Sequence, residues 1–122
     1  MKNFFIFVFF ILALNTKAIG KETTFKKELF DNAQSEGKVV VVSSWIKYCT
    51  SCASQMKVLN KAKNDFDNIE YFTFDVTNKE IAKFFNIQYQ TTLLIFKDKK
   101  EVYRSIGETT KELIYEALNS VI

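Results

Sequence analysis

The chain has 122 residues, with 17 basic and 14 acidic side chains, two cysteines, and neither histidine nor proline. This length fits one domain. A tetrahedral zinc site needs about four nitrogen or sulfur ligands, so carboxylates, water or a second molecule would have to complete a site that began with two cysteines. The net charge of +3 includes Lys2 and Lys17, and without this N-terminal pair 15 basic residues face 14 acidic ones. A net charge of about +1 gives no support for a nucleic-acid-binding face.

The N-terminus has the pattern of a secretory signal peptide. The positively charged Lys2 precedes eleven apolar residues at positions 4–14, and the small residues Thr16 and Ala18 follow at the expected −3 and −1 cleavage positions. The alternative is an uncleaved membrane anchor. Eleven helical residues at about 1.5 Å each span only about half of a roughly 30 Å hydrocarbon core, so the sequence favours a cleaved signal.

Residues 1–18 are therefore predicted to be the signal peptide and residues 19–122 the mature domain. We expect the mature domain to be exported, most simply to a bacterial periplasm, and to have no membrane span after cleavage. Outside the cytosol disulfides persist, and dedicated oxidoreductases manage them. We also expect a monomer without a bound cofactor.

Apolar periodicity and turn residues predict four helices and four strands after the signal. The first element is a helix through residues 25–36, capped by Thr23 or Thr24 and ended by Gly37; a strand at 39–44, a helix at 53–65 and a strand at 70–75 follow. Next come a short helix from Thr77 or Asn78 through 85 and a strand at 92–96. A turn at 97–100 leads into an antiparallel strand at 101–106 that ends at Gly107, and the last helix runs from Thr109 or Thr110 through 121. The apolar helix residues expected in the core include Leu29, Met56, Phe84 and Leu113. Strands that alternate with helices imply an α/β fold with a central mixed β-sheet covered by helices on both faces.

The two cysteines, Cys49 and Cys52, lie three residues apart between the valine strand at 39–42 and the following helix. This placement puts the first sulfur at a helix N-terminus, where unpaired N–H groups and the helix dipole favour a thiolate. A thiolate is the form that attacks disulfides. The motif predicts a redox-active dithiol in which Cys49, ahead of the helix, attacks and Cys52 resolves the mixed disulfide.

Three other interpretations of the cysteine pair stay open. A purely structural disulfide that closes so short a loop would contribute only about 2 kcal/mol. The pair could also be half of a metal site. Finally, the cysteines could be inert buried residues, although the polar Lys47, Thr50 and Ser51 around them fit burial poorly.

The motif W-x-x-Y-C-x-x-C, in this order of elements, resembles the thioredoxin family over nearly the whole mature chain. Trp45 and Tyr48 stand at the family's two aromatic positions before the nucleophile, and Gly107 matches a family glycine after the last strand. The segments within 75–96 are similar to the C-terminal thioredoxin-like domain of the thiol-disulfide interchange protein DsbD. The resemblance implies a thioredoxin fold, thiol-disulfide oxidoreductase activity, protein disulfide or dithiol substrates and an upstream redox partner.

Three positions depart from the family pattern. Thr91 stands where the family has a cis-proline. A cis bond before a residue other than proline costs about 3 kcal/mol, which favours a trans Gln90–Thr91 peptide. Ser43 replaces the buried acid two residues before the tryptophan, the usual proton acceptor for the second cysteine. Thr50 and Ser51 replace the dipeptide Gly-Pro, and their hydroxyls could hydrogen-bond a thiolate or simply cap the helix.

The predicted site has three groups of residues: the catalytic cysteines, a substrate rim, and side chains that tune the thiolate. They are Cys49 and Cys52; Trp45, Tyr48 and Thr91; and Lys47, Thr50 and Ser51. Reduction of substrate disulfides is the favoured direction. Two other classes of function stay open. One is a copper-binding thiol protein, because a missing proline ring leaves the sulfurs open to Cu(I). The other is a thioredoxin-like binding module without catalytic power, because both the proline and the buried acid are missing.

Overall fold

The computed structural model describes residues 23–122, which form one five-stranded sheet with helices on both faces. The elements are β1 (Thr23–Thr24), α1 (Lys27–Ser35), β2 (Val39–Trp45), α2 (Thr50–Asp65), β3 (Ile69–Asp75), α3 (Lys79–Phe85), β4 (Thr92–Lys97), β5 (Lys100–Ile106) and α4 (Lys111–Val121). The strand order is β1-β3-β2-β4-β5; the first three strands run parallel, and β4 and β5 pair antiparallel. The predicted mixed α/β sheet is confirmed. The predicted signal peptide, residues 1–18, lies outside the described residues.

The four valines of β2 explain why this strand lies at the centre of the sheet. Val40 and Val42 pack in the core beneath α1 and α3, whereas Val39 and Val41 pack in the core beneath α2 and α4. All four side chains are buried. A strand covered on both faces is a nearly continuous apolar run in the sequence. The uninterrupted valine run that predicted β2 is therefore a direct consequence of burial on two sides.

Phenylalanines fill the layer between the sheet and α1 and α3. Phe30 of α1 lies with its ring centroid 5.4 Å from that of Phe85 of α3, and Phe96 of β4 contacts both rings. Phe30 meets the other two edge to face, an arrangement that aromatic quadrupoles favour. This layer anchors α1 and α3 on the face of the sheet opposite α2, the helix that begins directly after Cys49 and contains Cys52.

The N-terminal threonines form a short strand and do not cap a helix. Thr23 and Thr24 pair in parallel with β3, and the N–H of Phe25 donates to the carbonyl of Thr73 at 2.9 Å. Helix α1 begins only at Lys27, so the predicted start near Phe25 was wrong. Threonine is both a common cap and a good strand former, and two residues are too few to show a strand period.

Three helix residues expected in the core are exposed instead: Leu29 is 42%, Phe84 49% and Leu113 49% exposed. Each is the sequence neighbour of a buried residue and is therefore rotated from it by about 100° around the helix. The buried residues are Phe30 and Ala33 in α1, Ala82 and Phe85 in α3, and Ile114, Ala117 and Leu118 in α4.

Residues in left-handed conformation end several elements. Gly37 after α1 and Gly107 after β5 have φ angles of +78° and +84°, as their predicted roles require. Asp98 and Lys99 also have positive φ and join β4 to β5 by a tight hairpin turn, in which paired positive φ angles match the strand twist. Asn78 caps α3 through its Oδ1, as one of the two predicted caps.

Two polar contacts fasten the outer elements to the rest of the domain. Arg104 of β5 donates to two carbonyl oxygens at the C-terminal end of α3, at 2.7 and 3.0 Å. It also hydrogen-bonds Glu101 and thereby holds the pKa of that carboxyl below its usual value. On the other face, the Tyr115 hydroxyl donates to Asp65 at 2.7 Å, and burial together with this hydrogen bond raises the pKa of Tyr115 to about 12.

Candidate active site

A tight turn between β2 and α2 delivers the first cysteine to a helix N-terminus. Strand β2 ends at Trp45, and the chain turns at Tyr48 before α2 begins at Thr50. Tyr48 has a φ of +63°, which is uncommon for a residue with a large side chain. The turn leaves Cys49 immediately ahead of the first helical residue.

Cys49 is the N-cap residue of α2. Its Sγ accepts the N–H of Cys52 at 3.2 Å, and its carbonyl accepts the N–H of Ala53 at 3.2 Å. The alternative that Thr50 or Ser51 caps this helix was wrong, because the sulfur takes that position. A backbone donor and the positive end of the helix dipole both stabilise a thiolate at Cys49.

The two sulfurs differ in their access to solvent. Cys49 and Cys52 are joined by a disulfide, and both line an open cavity of about 680 Å³. Cys52, within the first helical turn, is only 3% exposed, whereas Cys49 is half-buried. A reagent from solution therefore reaches Cys49 far more readily than Cys52.

The aromatic residues predicted for the substrate rim lie at this cavity. Trp45 is half-buried, Tyr48 is fully exposed, and both belong to the cavity wall. Lys47, predicted to tune the thiolate, is also exposed there. The pKa of Asp75 is lowered mainly by hydrogen bonds from Thr77 and to a lesser extent by the Lys47 charge. Part of the Lys47 field is thus compensated by a carboxylate.

Thr91 is buried against the sulfurs and does not stand at the rim. It is 3% exposed, and its Oγ1 lies 3.1 Å from Cys52 Sγ, 3.6 Å from Cys49 Sγ and 2.9 Å from Ser51 Oγ. The Ser51 Oγ lies 3.3 Å from Cys49 Sγ, within hydrogen-bond distance of it. None of the peptide bonds within residues 23–122 is cis, so the Gln90–Thr91 peptide is trans. At the position where the sequence resemblance expects a proline, the structure thus has a hydroxyl beside the sulfurs.

The backbone of Thr91 is held in a left-handed conformation, with a φ of +62°. Its N–H donates to the carbonyl of Ser44 at 2.9 Å, and its carbonyl accepts the N–H of Gly107 at 2.9 Å and Nε2 of Gln55 at 3.2 Å. Positive φ is costly for a β-branched residue. The three hydrogen bonds offset this cost and fix Thr91 in place.

Gln55 is a residue of the site that the sequence interpretation missed. It is fully buried, its Nε2 also donates to the carbonyl of Glu108 at 2.8 Å, and its Oε1 is buried without a protein partner. Met56, expected in the core, is half-buried at the cavity instead. The signal that could have identified Gln55 is the stripe at helical spacing that α2 buries, namely Cys52, Gln55, Leu59 and Ala62.

A neutral pair occupies the position of the family's buried acid. Ser43 is fully buried, and its Oγ lies 2.8 Å from the hydroxyl oxygen of Tyr71 on the adjacent strand β3. The two hydroxyls satisfy each other inside the core. No carboxylate at this position is available to accept a proton from Cys52.

Within residues 23–122, no group of three or more histidine, cysteine, aspartate or glutamate side chains is arranged to hold a metal ion. The helices of the same part of the chain are all too short or too polar to cross a bilayer.

A C-x-x-C turn between a buried strand and a helix, on a mixed sheet with helices on both faces, defines a dithiol redox domain. Comparison with known families gives the same result, because the thioredoxin family profile matches residues 18–120. The chain belongs to the thioredoxin family.

Individual relatives agree with this assignment. The thioredoxin of Bacillus subtilis is 32% identical over 92 residues, which cover 74% of this chain and 88% of that protein. The H-type thioredoxin of Fagopyrum esculentum is 24% identical over 90 residues, covering 73% of this chain and 78% of that one. Among solved structures, Trxlp from Edwardsiella tarda superposes with a TM-score of 0.72 at 25% identity and covers 79% of this chain and 96% of that protein. The predicted thioredoxin fold and, with the Cys49–Cys52 pair, the predicted class of thiol-disulfide oxidoreductase are confirmed.

Proposed function

We propose that this protein is an exported oxidoreductase that reduces or exchanges disulfides of protein substrates, with Cys49 as the attacking thiol and Cys52 as the resolving thiol. The observation that carries the proposal is the difference between the sulfurs. Cys49 caps a helix at the edge of an open cavity, whereas Cys52 is only 3% exposed and is joined to Cys49 by the disulfide. A thiolate must be reachable to attack a foreign disulfide, and a resolving thiol must reach only its partner.

The reaction follows two exchange steps. The Cys49 thiolate attacks one sulfur of the substrate disulfide, forms a mixed disulfide and expels the other substrate sulfur as a thiolate. Cys52 then loses its proton and attacks Cys49 Sγ, which expels the second substrate thiolate. Two electrons pass from the dithiol to the substrate. A redox partner upstream restores the dithiol by the same steps in reverse.

The cavity beside Cys49 supports a protein substrate with apolar side chains near its disulfide. Trp45, Ile46, Tyr48 and Met56 contribute to its wall. Aromatic rings offer a large contact area to an extended chain at low entropic cost. Lys47 at the same wall favours an acidic group on that chain.

Cysteine variants test the division of roles. The Cys52→Ala variant should accumulate mixed disulfides with substrate proteins through Cys49, because the resolving step is removed. The Cys49→Ala variant should trap none, and Cys52 should alkylate slowly because it is buried. Equal trapping by both variants would contradict the roles.

In wild-type protein, Cys49 should react with iodoacetamide at a lower pH than a free thiol, whose pKa is about 8.5. Reactivity equal to that of a free thiol would indicate a binding module instead.

The direction of electron flow is tested by equilibration with glutathione. Trp45, the single tryptophan of the chain, lines the same cavity as the disulfide, so its fluorescence reports the redox state. We expect a reductant with a potential near the roughly −270 mV of thioredoxin. The resemblance of residues 75–96 to the DsbD domain supports this direction. A potential near about −120 mV, as in the oxidant DsbA, would contradict it.

Export is tested by the N-terminus of the protein recovered from its native cell. The pattern at residues 1–18 supports cleavage after Ala18, so the protein should be found in the periplasmic fraction and begin at Ile19. Recovery from the cytosol with Met1 intact would contradict export. Size-exclusion chromatography of the mature domain should show a monomer.

A second candidate function is Cu(I) binding, and one feature of the cavity favours it. Met56 lines the same cavity as Cys49 and Cys52, and thioether and thiolate sulfurs are the ligands that Cu(I) prefers. Anaerobic titration of the reduced protein with Cu(I) should then give tight binding that Met56→Leu weakens. Weak binding together with retained disulfide reduction would eliminate this candidate.

A further inference from the structure

The Thr91 hydroxyl connects the buried sulfur to the surface of the protein. Its Oγ1 lies 3.1 Å from Cys52 Sγ and 2.9 Å from Ser51 Oγ. The Ser51 side chain is exposed, whereas Cys52 and Thr91 are each 3% exposed. A continuous chain of two hydroxyls therefore leads from the resolving sulfur to solvent.

The position of Thr91 is fixed by backbone hydrogen bonds to three parts of the fold. The N–H of Thr91 is bonded to Ser44, and its carbonyl to both Gly107 and Gln55. These partners lie on β2, at the end of β5 and on α2, so three separate elements hold one residue. The tied backbone and the buried side chain keep the Thr91 hydroxyl beside the sulfurs in this structure.

The second exchange step needs a group that handles the proton of Cys52. In this chain the family's acid position is taken by Ser43, whose hydroxyl is paired with Tyr71. Among the described residues, the hydrogen-bond partners of the two sulfurs are N–H and hydroxyl groups, all of them uncharged. A hydroxyl has one proton and two acceptor lone pairs, so it accepts one proton while donating another. Donation to a thiolate is also stronger than donation to a neutral sulfur.

We propose that Thr91 is a catalytic residue whose hydroxyl stabilises the Cys52 thiolate and passes the Cys52 proton through Ser51 to solvent. This role rests on the proposed function of Cys52 as the resolving thiol. The Cys52 proton moves to Thr91 Oγ1 as the Thr91 proton moves to Ser51 Oγ and the Ser51 proton to water. The freed electron pair of Cys52 forms the bond to Cys49 Sγ. The bond from Cys49 Sγ to the substrate sulfur breaks, and the substrate leaves as a thiolate that takes a proton from water.

Stopped-flow reaction of the reduced protein with 5,5′-dithiobis(2-nitrobenzoate) separates the two steps. The first equivalent of thionitrobenzoate is released when Cys49 attacks and the second when Cys52 resolves. Thr91→Val removes the hydroxyl and keeps the β-branched shape. We expect it to slow the second phase about tenfold at neutral pH and to move the pH midpoint of that phase upward, because a charge-assisted hydrogen bond is lost. The first phase should change less than about twofold, because Cys49 keeps the donors of Cys52 N–H and Ser51. Thr91→Ser should restore both the rate and the midpoint.

Each outcome decides between the hydroxyl and packing. A second phase in Thr91→Val that matches wild type in rate and midpoint would overturn the inference, and so would a Thr91→Ser variant as slow as Thr91→Val. Ser51→Ala should slow the second phase; an unchanged rate would remove the proton route. Release of only one equivalent by the wild-type protein would overturn the proposed function itself. If Thr91→Val fails to fold, Thr91→Ala removes the same hydroxyl with less crowding at positive φ.

Discussion

Replacing Gln55 by glutamate exchanges a buried donor for an acceptor at nearly constant volume. The Nε2 of Gln55 donates to the carbonyls of Thr91 and Glu108 at 3.2 and 2.8 Å, and the side chain is fully buried. In the Gln55→Glu variant a carboxylate oxygen would face these two carbonyl oxygens. Burial disfavours the charged carboxylate, and the two carbonyl acceptors can hydrogen-bond only the protonated form. Both effects raise the pKa of the introduced carboxyl above the roughly 4.3 of a free glutamate.

The size of the effect follows from the two protonation states. When it is protonated, the introduced carboxyl donates one hydrogen bond in place of two, which costs about 1 kcal/mol. A pKa raised by about two units adds about 2.7 kcal/mol once the carboxyl is ionised in both the unfolded and the folded chain. Because the pKa is higher in the folded state, the stability present at low pH is lost as the pH rises through the folded-state pKa. The deficit should grow from about 1 kcal/mol near pH 4 to between about 3 and 4 kcal/mol near pH 8.

Urea unfolding of the oxidised protein across this pH range measures the deficit. Gln88→Glu makes the same chemical change at an exposed position and serves as the matched control. Gln55→Met removes both donors without adding a charge, so its deficit of about 2 kcal/mol should not depend on pH. A Gln55→Glu profile that runs parallel to that of Gln88→Glu would refute the buried hydrogen bonds.

Three further predictions concern the scaffold. Tyr115→Phe should lower the free energy of unfolding by less than about 1 kcal/mol below pH 10. Between about pH 10 and 12 the wild-type protein should lose stability as Tyr115 ionises, because its pKa is raised in the folded state, and the variant should lose less over this range. A variant whose alkaline stability profile runs parallel to that of the wild type would contradict this. Arg104→Met should lower the free energy of unfolding by about 1 kcal/mol at neutral pH, as measured by urea unfolding. This cost should shrink in acid, because Arg104 lowers the pKa of Glu101 and the contribution of their contact is lost once Glu101 is protonated. A cost that stays constant with pH would show that only the hydrogen bonds from Arg104 to the backbone carbonyls contribute to stability. Leu118→Ala should cost about 3 kcal/mol and the control Leu113→Ala less than about 0.5 kcal/mol, because only the former leaves a buried cavity; similar costs would contradict the orientation of α4.

The strands and the order of elements could be predicted because their signals are local. The valines of β2 and the apolar run of β4 are buried on both faces, so composition alone identifies them. Helix phase was harder to predict, because a helix with apolar residues at adjacent positions fits two faces about 100° apart. Tertiary contacts with the sheet chose Phe30 over Leu29 and Ile114 over Leu113.

The candidate site divides in the same way into local and distant parts. The turn, the N-cap and the sulfur asymmetry depend on residues 45–52 and follow from the motif and the helix that succeeds it. The position of Thr91 depends on the pairing of β4 with β2, and that of Gln55 depends on the phase of α2. The sequence placed Met56 in the core at this part of α2, where the structure buries Gln55 instead. It could therefore not predict the hydrogen bond between Gln55 and Thr91 or the approach of Thr91 to the sulfurs.

The substitution at the proline position and the buried glutamine belong to one arrangement. A threonine in left-handed conformation costs more than a glycine would, and it needs contacts that fix it. Gln55 supplies one of these contacts to the Thr91 carbonyl and ties the same residue to the loop at Glu108. Variants at positions 55 and 91 share hydrogen-bond partners, so their effects on stability and on the second exchange step should not be additive. Gln55 is hydrogen-bonded to backbone carbonyls and to neither sulfur. Replacing Gln55 should nevertheless slow the second exchange step, because it loosens Thr91, whose hydroxyl contacts the Cys52 sulfur.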